Sequence, residues 1–277
     1  IERVLNEEKK IFHLNNSKIE NLCSRDQNEF GIKILKSNYN DLLFNKIINF
    51  YQENSYITKK KHFVKKKFLK RKKIHLIYFL FNKILKIFGK IFKIENNFVF
   101  YKIYIGNFYT TLKIFFKLKE LPINYSLYDK LYGYKFPNTD FELRSQIDLE
   151  IKSKNKKILL INRLLKECMP SSYIEGFKEI FKILDKSTLP KKIKNIYTSN
   201  IFNDSLFKFW VASQVNNGAK LIHGQHGGGY DLLKNECHLN HELKICDKYL
   251  TWGWSSSNKK IIPGYLTSTI SKKILSF

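Results

Sequence analysis

Arginine is nearly missing from a strongly basic chain. Of its 50 basic residues only Arg3, Arg25, Arg71, Arg144 and Arg163 are arginine; 24 acidic residues leave a net charge of +26. Readers of base edges and phosphates favour arginine, whose planar fork bonds two acceptors at once. The charge therefore argues weakly for a nucleic acid and more for an acidic surface. Part of it follows from a bias toward Lys, Ile, Asn, Phe and Tyr, the residues that AT-rich codons supply. Cysteine is also sparse. Cys23, Cys168, Cys237 and Cys246 form no CxxC pair and no dense framework, which excludes a disulfide scaffold and points to a reducing, cytoplasmic setting. No secretory signal is expected from its opening residues. No apolar run approaches the ~20 residues that cross a bilayer. The glycines match neither GxGxxG nor the Walker loop, and no GxSxG elbow is present, which argues against a serine hydrolase.

What is present is a folding chain. At 277 residues and 43% hydrophobic it can bury a full core. Residues 1–150 read as mostly helical. Asn40 is placed to cap a helix running from Asp41 to Tyr51, and residues 140–153 read as a helix capped by Asn138 or Thr139. A basic block begins at Lys59 and leads into an apolar stretch with lysines at 83, 86, 90 and 93. That spacing predicts an amphipathic helix within about 59–94, suited to peripheral contact with an anionic membrane or to ordinary packing with solvated lysines. Residues 95–140 look aromatic and irregular. From Lys156 an α/β rhythm sets in over 151–254. Ile158–Ile161 fits a short strand or a helix flank equally. Ile193–Thr198 reads as a strand, Asn203 or Asp204 as the cap of a helix through Phe207, Trp210 and Val215, and Gly218 as its close. Ala219–His223, Lys248–Gly253 and Lys260–Gly264 read as further strands. Strand, helix, strand predicts a right-handed parallel crossover.

The chemistry concentrates where Ala219–His223 ends, in Gly224-Gln225-His226-Gly227-Gly228-Gly229-Tyr230. Ligands of an open parallel sheet sit beyond the carboxyl ends of its strands. That edge is expected to collect Asn200, Asn203, Asp204, Gln225, His226, Gly227, Gly228 and Gly229. A histidine there serves as general base, and glycines offer amides to a phosphate or developing oxyanion. His226 is the catalytic candidate; His223, one step inside the strand, reads as structural. His223, His226, Cys237, His238, His241 and Cys246 are numerous enough for zinc, but their spacing matches no standard finger, so no metal is expected.

Pro170 with Tyr173-Ile174-Glu175-Gly176, Thr198-Ser199-Asn200 with Asn203-Asp204, Lys208-Phe209-Trp210, the Gly224–Tyr230 element, His241-Glu242 and Asp247–Trp254 together resemble a family of bacterial transferases associated with surface-polysaccharide gene clusters. The match runs over about 168–264. More distantly, the Gln-His-Gly element is similar to CDP-glycerol glycerophosphotransferases and capsule-type Kdo transferases. Those enzymes pair two Rossmann-like domains in the GT-B arrangement. The resemblance implies that His226 is the base, that Gln225 and the glycines shape the cleft, and that Glu242 and Asp247 help position substrate. Asp231 departs from the pattern where another glycine is expected. The second domain would begin near Ile261, within 255–277, so the chain is expected to be the acceptor-side half of a GT-B-like fold, cut before the donor domain.

The expectation is an α/β protein with a Rossmann-like parallel sheet and a helical, lysine-rich N-terminal part. Its expected activity is transfer of a sugar or sugar-like group from a nucleotide-activated donor to a surface-glycan acceptor, at the inner membrane face, with no cofactor beyond that donor. The rival readings are a non-catalytic glycan- or membrane-binding module and a basic nucleic-acid-binding protein.

Overall fold

A computed structural model describes residues 14–15, 22–51, 57–58, 74–92, 94, 97–103, 108–123, 137–148, 153–187, 189–201, 205–230, 232 and 237–264. In chain order the elements are β1 (Leu14–Asn15), α1 (Gln27–Lys33), α2 (Ser37–Tyr51), β2 (Ile57–Thr58), α3 (Ile74–Ile91), β3 (Phe98–Tyr101) and α4 (Phe108–Lys117). They continue with α5 (Phe141–Gln146), α6 (Lys156–Cys168), α7 (Phe177–Asp185), β4 (Asn195–Thr198), α8 (Ser205–Asn216), β5 (Lys220–Gly224), α9 (Cys237–Ile245), β6 (Lys248–Thr251) and β7 (Ile261–Pro263). By backbone contacts they fall into two compact units: Ile1–Leu69 with Gly133–Ile183, and Lys70–Tyr132 with Leu184–Phe277.

The first unit is helical, with a two-stranded parallel pairing of β1 and β2. Helix α2 begins one turn earlier than the Asn40 cap predicts. The Asn40 amide already bonds the Lys36 carbonyl at 3.2 Å, and Tyr39 is pulled inward by donating its hydroxyl to Leu22 O at 3.0 Å. Helix α5 is capped by Asp140 rather than by Asn138 or Thr139: its Oδ1 accepts the Leu143 amide at 2.9 Å. The Ile158–Ile161 run belongs to α6. Asn155 caps that helix by accepting the Lys157 amide, and of the run only Leu160 is buried.

Arg144 is the keystone of this unit. Its guanidinium forks onto both Glu175 oxygens, at 2.6 and 2.8 Å, with both side chains 3% exposed. The same group donates to the carbonyls of Lys166, Glu167 and Met169 at the end of α6, which have no partner within that helix. Burial alone would push the Glu175 carboxyl up; the bond from Arg144 overcomes this and holds it below the usual range.

The second unit carries a five-stranded, all-parallel sheet in the order β3-β4-β5-β6-β7. Its first strand comes from a stretch that reads as irregular. Phe98-Val99-Phe100-Tyr101 alternates between half-buried and buried, which is what a strand between two packed layers requires. One face of the sheet is fully covered. Tyr101, Thr198, His223 and Tyr249 share a register row there; Tyr101 stacks on Phe207 of α8, and His223 and Tyr249 meet Glu242 of α9. Both crossover helices therefore return over the same face. On the other face Phe100 meets Phe115 of α4 edge-on at 4.9 Å. Gly218 ends α8 with φ of +94°, a conformation that costs a residue with Cβ. No helix among the described residues is long and apolar enough to cross a membrane.

Candidate active site

The site grows out of the end of β5. At Gly224 a Cβ would collide with the Tyr197 hydroxyl and sit 2.9 Å from Ser199 Oγ, so a larger residue there would require those two side chains to shift. Gln225 then fixes the turn. Its amide N–H extends the ladder to Leu250 O, and its side-chain oxygen accepts from the Trp252 amide at 2.9 Å and Trp254 Nε1 at 2.8 Å. Its side-chain nitrogen donates to Gly227 O at 2.7 Å. The buried Gln225 side chain is therefore committed to the protein and shapes the loop from within.

His226 follows, its side chain 26% exposed. Tyr230, four residues on, places its hydroxyl 2.5 Å from His226 Nδ1 and donates to Glu242 Oε1 at 3.1 Å. Tyr249 donates to Glu242 Oε2 at 2.9 Å. Glu242, on α9, is fully buried and accepts two phenolic protons, the behaviour of an ionised carboxylate. With the Tyr230 proton given to Glu242, the bond to His226 is donated by Nδ1–H. In the neutral ring the lone pair then lies on Nε2. Burial, with the Glu242 charge second, pushes the Tyr249 phenol far up, so it stays a donor at any ordinary pH.

His223 is also sealed in. It lies parallel to the Tyr249 ring at 5.8 Å, with Nδ1 3.5 Å from Glu242 Oε2. Neither ring nitrogen has a hydrogen-bond partner among the described residues. Burial first, and the nearby His226 second, pull its pKa down to about 3, so the ring is neutral and acts as a spacer. A folded pKa below the unfolded value gives stability that is complete above about pH 6.5 and lost as pH falls toward 3. Between about pH 7 and pH 5 the protein should lose roughly 2 kcal/mol more than His223→Phe does. Urea midpoints of the two proteins across that range check this; parallel curves would refute it.

Of the other expected residues, Asn200 stands just beyond β4 at the same edge, with its buried Oδ1 lacking a partner among the described residues. Asn203 and Asp204 lie outside the described residues. Gly227, Gly228 and Gly229 follow His226; a Cβ on Gly228 or Gly229 would meet nothing within 4 Å, and neither adopts positive φ. Nothing described in the fold requires glycine there. Glu242, expected to position substrate, is instead linked to His226 through the Tyr230 hydroxyl. Asp247 sits at the opposite, amino-terminal edge of the sheet, where it accepts the Leu221 amide at 2.8 Å. Sequence reasoning did not single out Tyr230 or Tyr249. Their signals are the four-residue spacing from His226 and the position of Tyr249 on the buried row of β6. Among the described residues no group of three or more His, Cys, Asp or Glu is placed to hold a metal ion.

Neither a search of curated proteins nor one of solved structures returns a match to this chain. A protein-family model described as LIC12162 family transferase matches residues 1–275. An α/β unit with a histidine, a buried carboxylate and a glycine loop at one sheet edge thus accompanies a match along nearly the whole length, and the chain belongs to the LIC12162 family of transferases.

Proposed function

We propose that this transferase moves a sugar or sugar-like group from a nucleotide-activated donor to the hydroxyl of a surface-glycan acceptor, with His226 as general base. In the step, Nε2 takes the acceptor proton as the acceptor oxygen bonds to the donor carbon. The bond from that carbon to the nucleotide phosphate breaks, and the phosphate leaves with the electron pair. The imidazolium that forms is stabilised through Nδ1–H, Tyr230 and the Glu242 carboxylate. The observation that carries the reading is this chain of hydrogen bonds from a buried carboxylate to a part-exposed imidazole. Two further features support it. Gly228 and Gly229 keep side chains out of space beside His226, which suits close approach of a ligand to backbone. The net charge of +26 favours a polyanionic donor and an anionic glycan.

Replacing Tyr230 with phenylalanine tests the assignment. The ring stays, but the hydroxyl that couples His226 to Glu242 is gone. With a panel of nucleotide-sugar donors and nucleotide release as readout, kcat should fall about 10- to 100-fold. KM should stay within a factor of about two, since the hydroxyl acts on the base rather than on bound substrate. An unchanged kcat in a folded variant would remove Tyr230 and Glu242 from the mechanism.

A further inference from the structure

Among the described side chains of α3, those that face inward are Asn82, Leu85, Lys86 and Gly89. Gly89 is buried because Leu121 presses against it, and a Cβ there would lie 2.6 Å from Leu121 Cδ1. The outward side is Leu80, Ile84, Ile87, Phe88 and Ile91, at a spacing that forms one stripe. Ile84, Ile87 and Ile91 are 64%, 58% and 69% exposed. Water-facing helices ordinarily turn such residues inward, so this stripe is a face built to be covered.

The charge along the chain here says by what. In sequence, residues 54–94 hold thirteen lysines and one arginine and no acidic residue. Lys83 is exposed beside Ile84 and Ile87 on the same helix. Two copies of such a face would bring like charges together, which disfavours self-association. A surface of anionic headgroups over acyl chains meets both needs at once: lysines to the phosphates, the aliphatic stripe a few ångströms into the hydrocarbon boundary. We infer that α3 is a docking helix for anionic lipid, lying in the plane of the bilayer surface. This is independent of the transfer chemistry.

The test is co-sedimentation of the full chain with vesicles of phosphatidylcholine and with vesicles of one part phosphatidylglycerol to two of phosphatidylcholine, at low and high salt. The chain should pellet with the anionic vesicles, weakly with the neutral ones, and be released as salt rises. The Ile84→Ser/Ile87→Ser/Ile91→Ser variant should partition about 10-fold or more weakly to anionic vesicles. Equal binding to both vesicle types, no binding, or unchanged binding of the variant overturns the inference. So does self-association in solution that the variant abolishes without any vesicle binding, because it assigns the face to a second copy. Should the variant lose its helical circular dichroism, the wild-type salt series decides; binding that survives high salt counts against anionic lipid.

Discussion

Alanine at position 226 should lower turnover about 10²- to 10⁴-fold, the usual contribution of a positioned general base. That range corresponds to about 3–5 kcal/mol of lost transition-state stabilisation. The fold should survive. The His226 ring is part-exposed, and its removal gives up the hydrogen bond to Tyr230 and an edge contact with the Tyr230 ring, on the order of 1 kcal/mol. Substrate should still bind, so the loss should appear in kcat rather than in KM. The decisive measurement is steady-state nucleotide release by wild-type and variant enzyme with the same donor and acceptor, alongside a thermal melt of each. Turnover near wild type in a folded His226→Ala protein would defeat the base assignment and return the motif to a structural role.

The largest expected loss of stability lies elsewhere, in the first unit. Arg144→Met strips the partner from a buried Glu175 carboxylate and uncaps the last carbonyls of α6 in one change. Breaking one side of a buried pair costs roughly 3–5 kcal/mol, because the remaining charge is left in the interior without compensation. A domain of ordinary stability keeps only about 5–15 kcal/mol in hand, so the variant should be marginal at growth temperature. Glu175→Gln retains an acceptor for the guanidinium and should be the milder change. Urea denaturation measures both. A drop below about 1 kcal/mol for Arg144→Met would mean that the surrounding polar groups relax to water and that Arg144 is not a keystone.

These two residues illustrate what a one-dimensional reading can and cannot reach. The strands around the site are marked by local punctuation. Gly218 ends a helix, the apolar run after it can only be a strand, and the histidine–glycine cluster falls where that strand stops. Local signals suffice because each boundary is set by residues within a turn of it. Phe98–Tyr101 has no such punctuation. Its place in the sheet depends on pairing with Asn195–Thr198, almost a hundred residues away, and aromatic alternation alone does not announce that. The link from His226 to Glu242 runs through Tyr230 and depends on how α9 lies over the sheet, which spacing does not encode. The same geometry separates Asp247 from His226: five residues after Glu242 on the chain, it has crossed to the other end of the strands. The Arg144 guanidinium does what a lysine point charge could not, although rarity alone does not mark it, since the Arg163 side chain is 59% exposed.

The order of the sheet bears on how firmly the imidazole is held. Of the five described strands in this sheet, β5 is the third, with two strands on either side. A central strand is paired along both edges, so the backbone leading to Gly224 is held from both sides. The proposed base thus follows two residues after the central strand, and the glycines at 228 and 229 leave open space beside it.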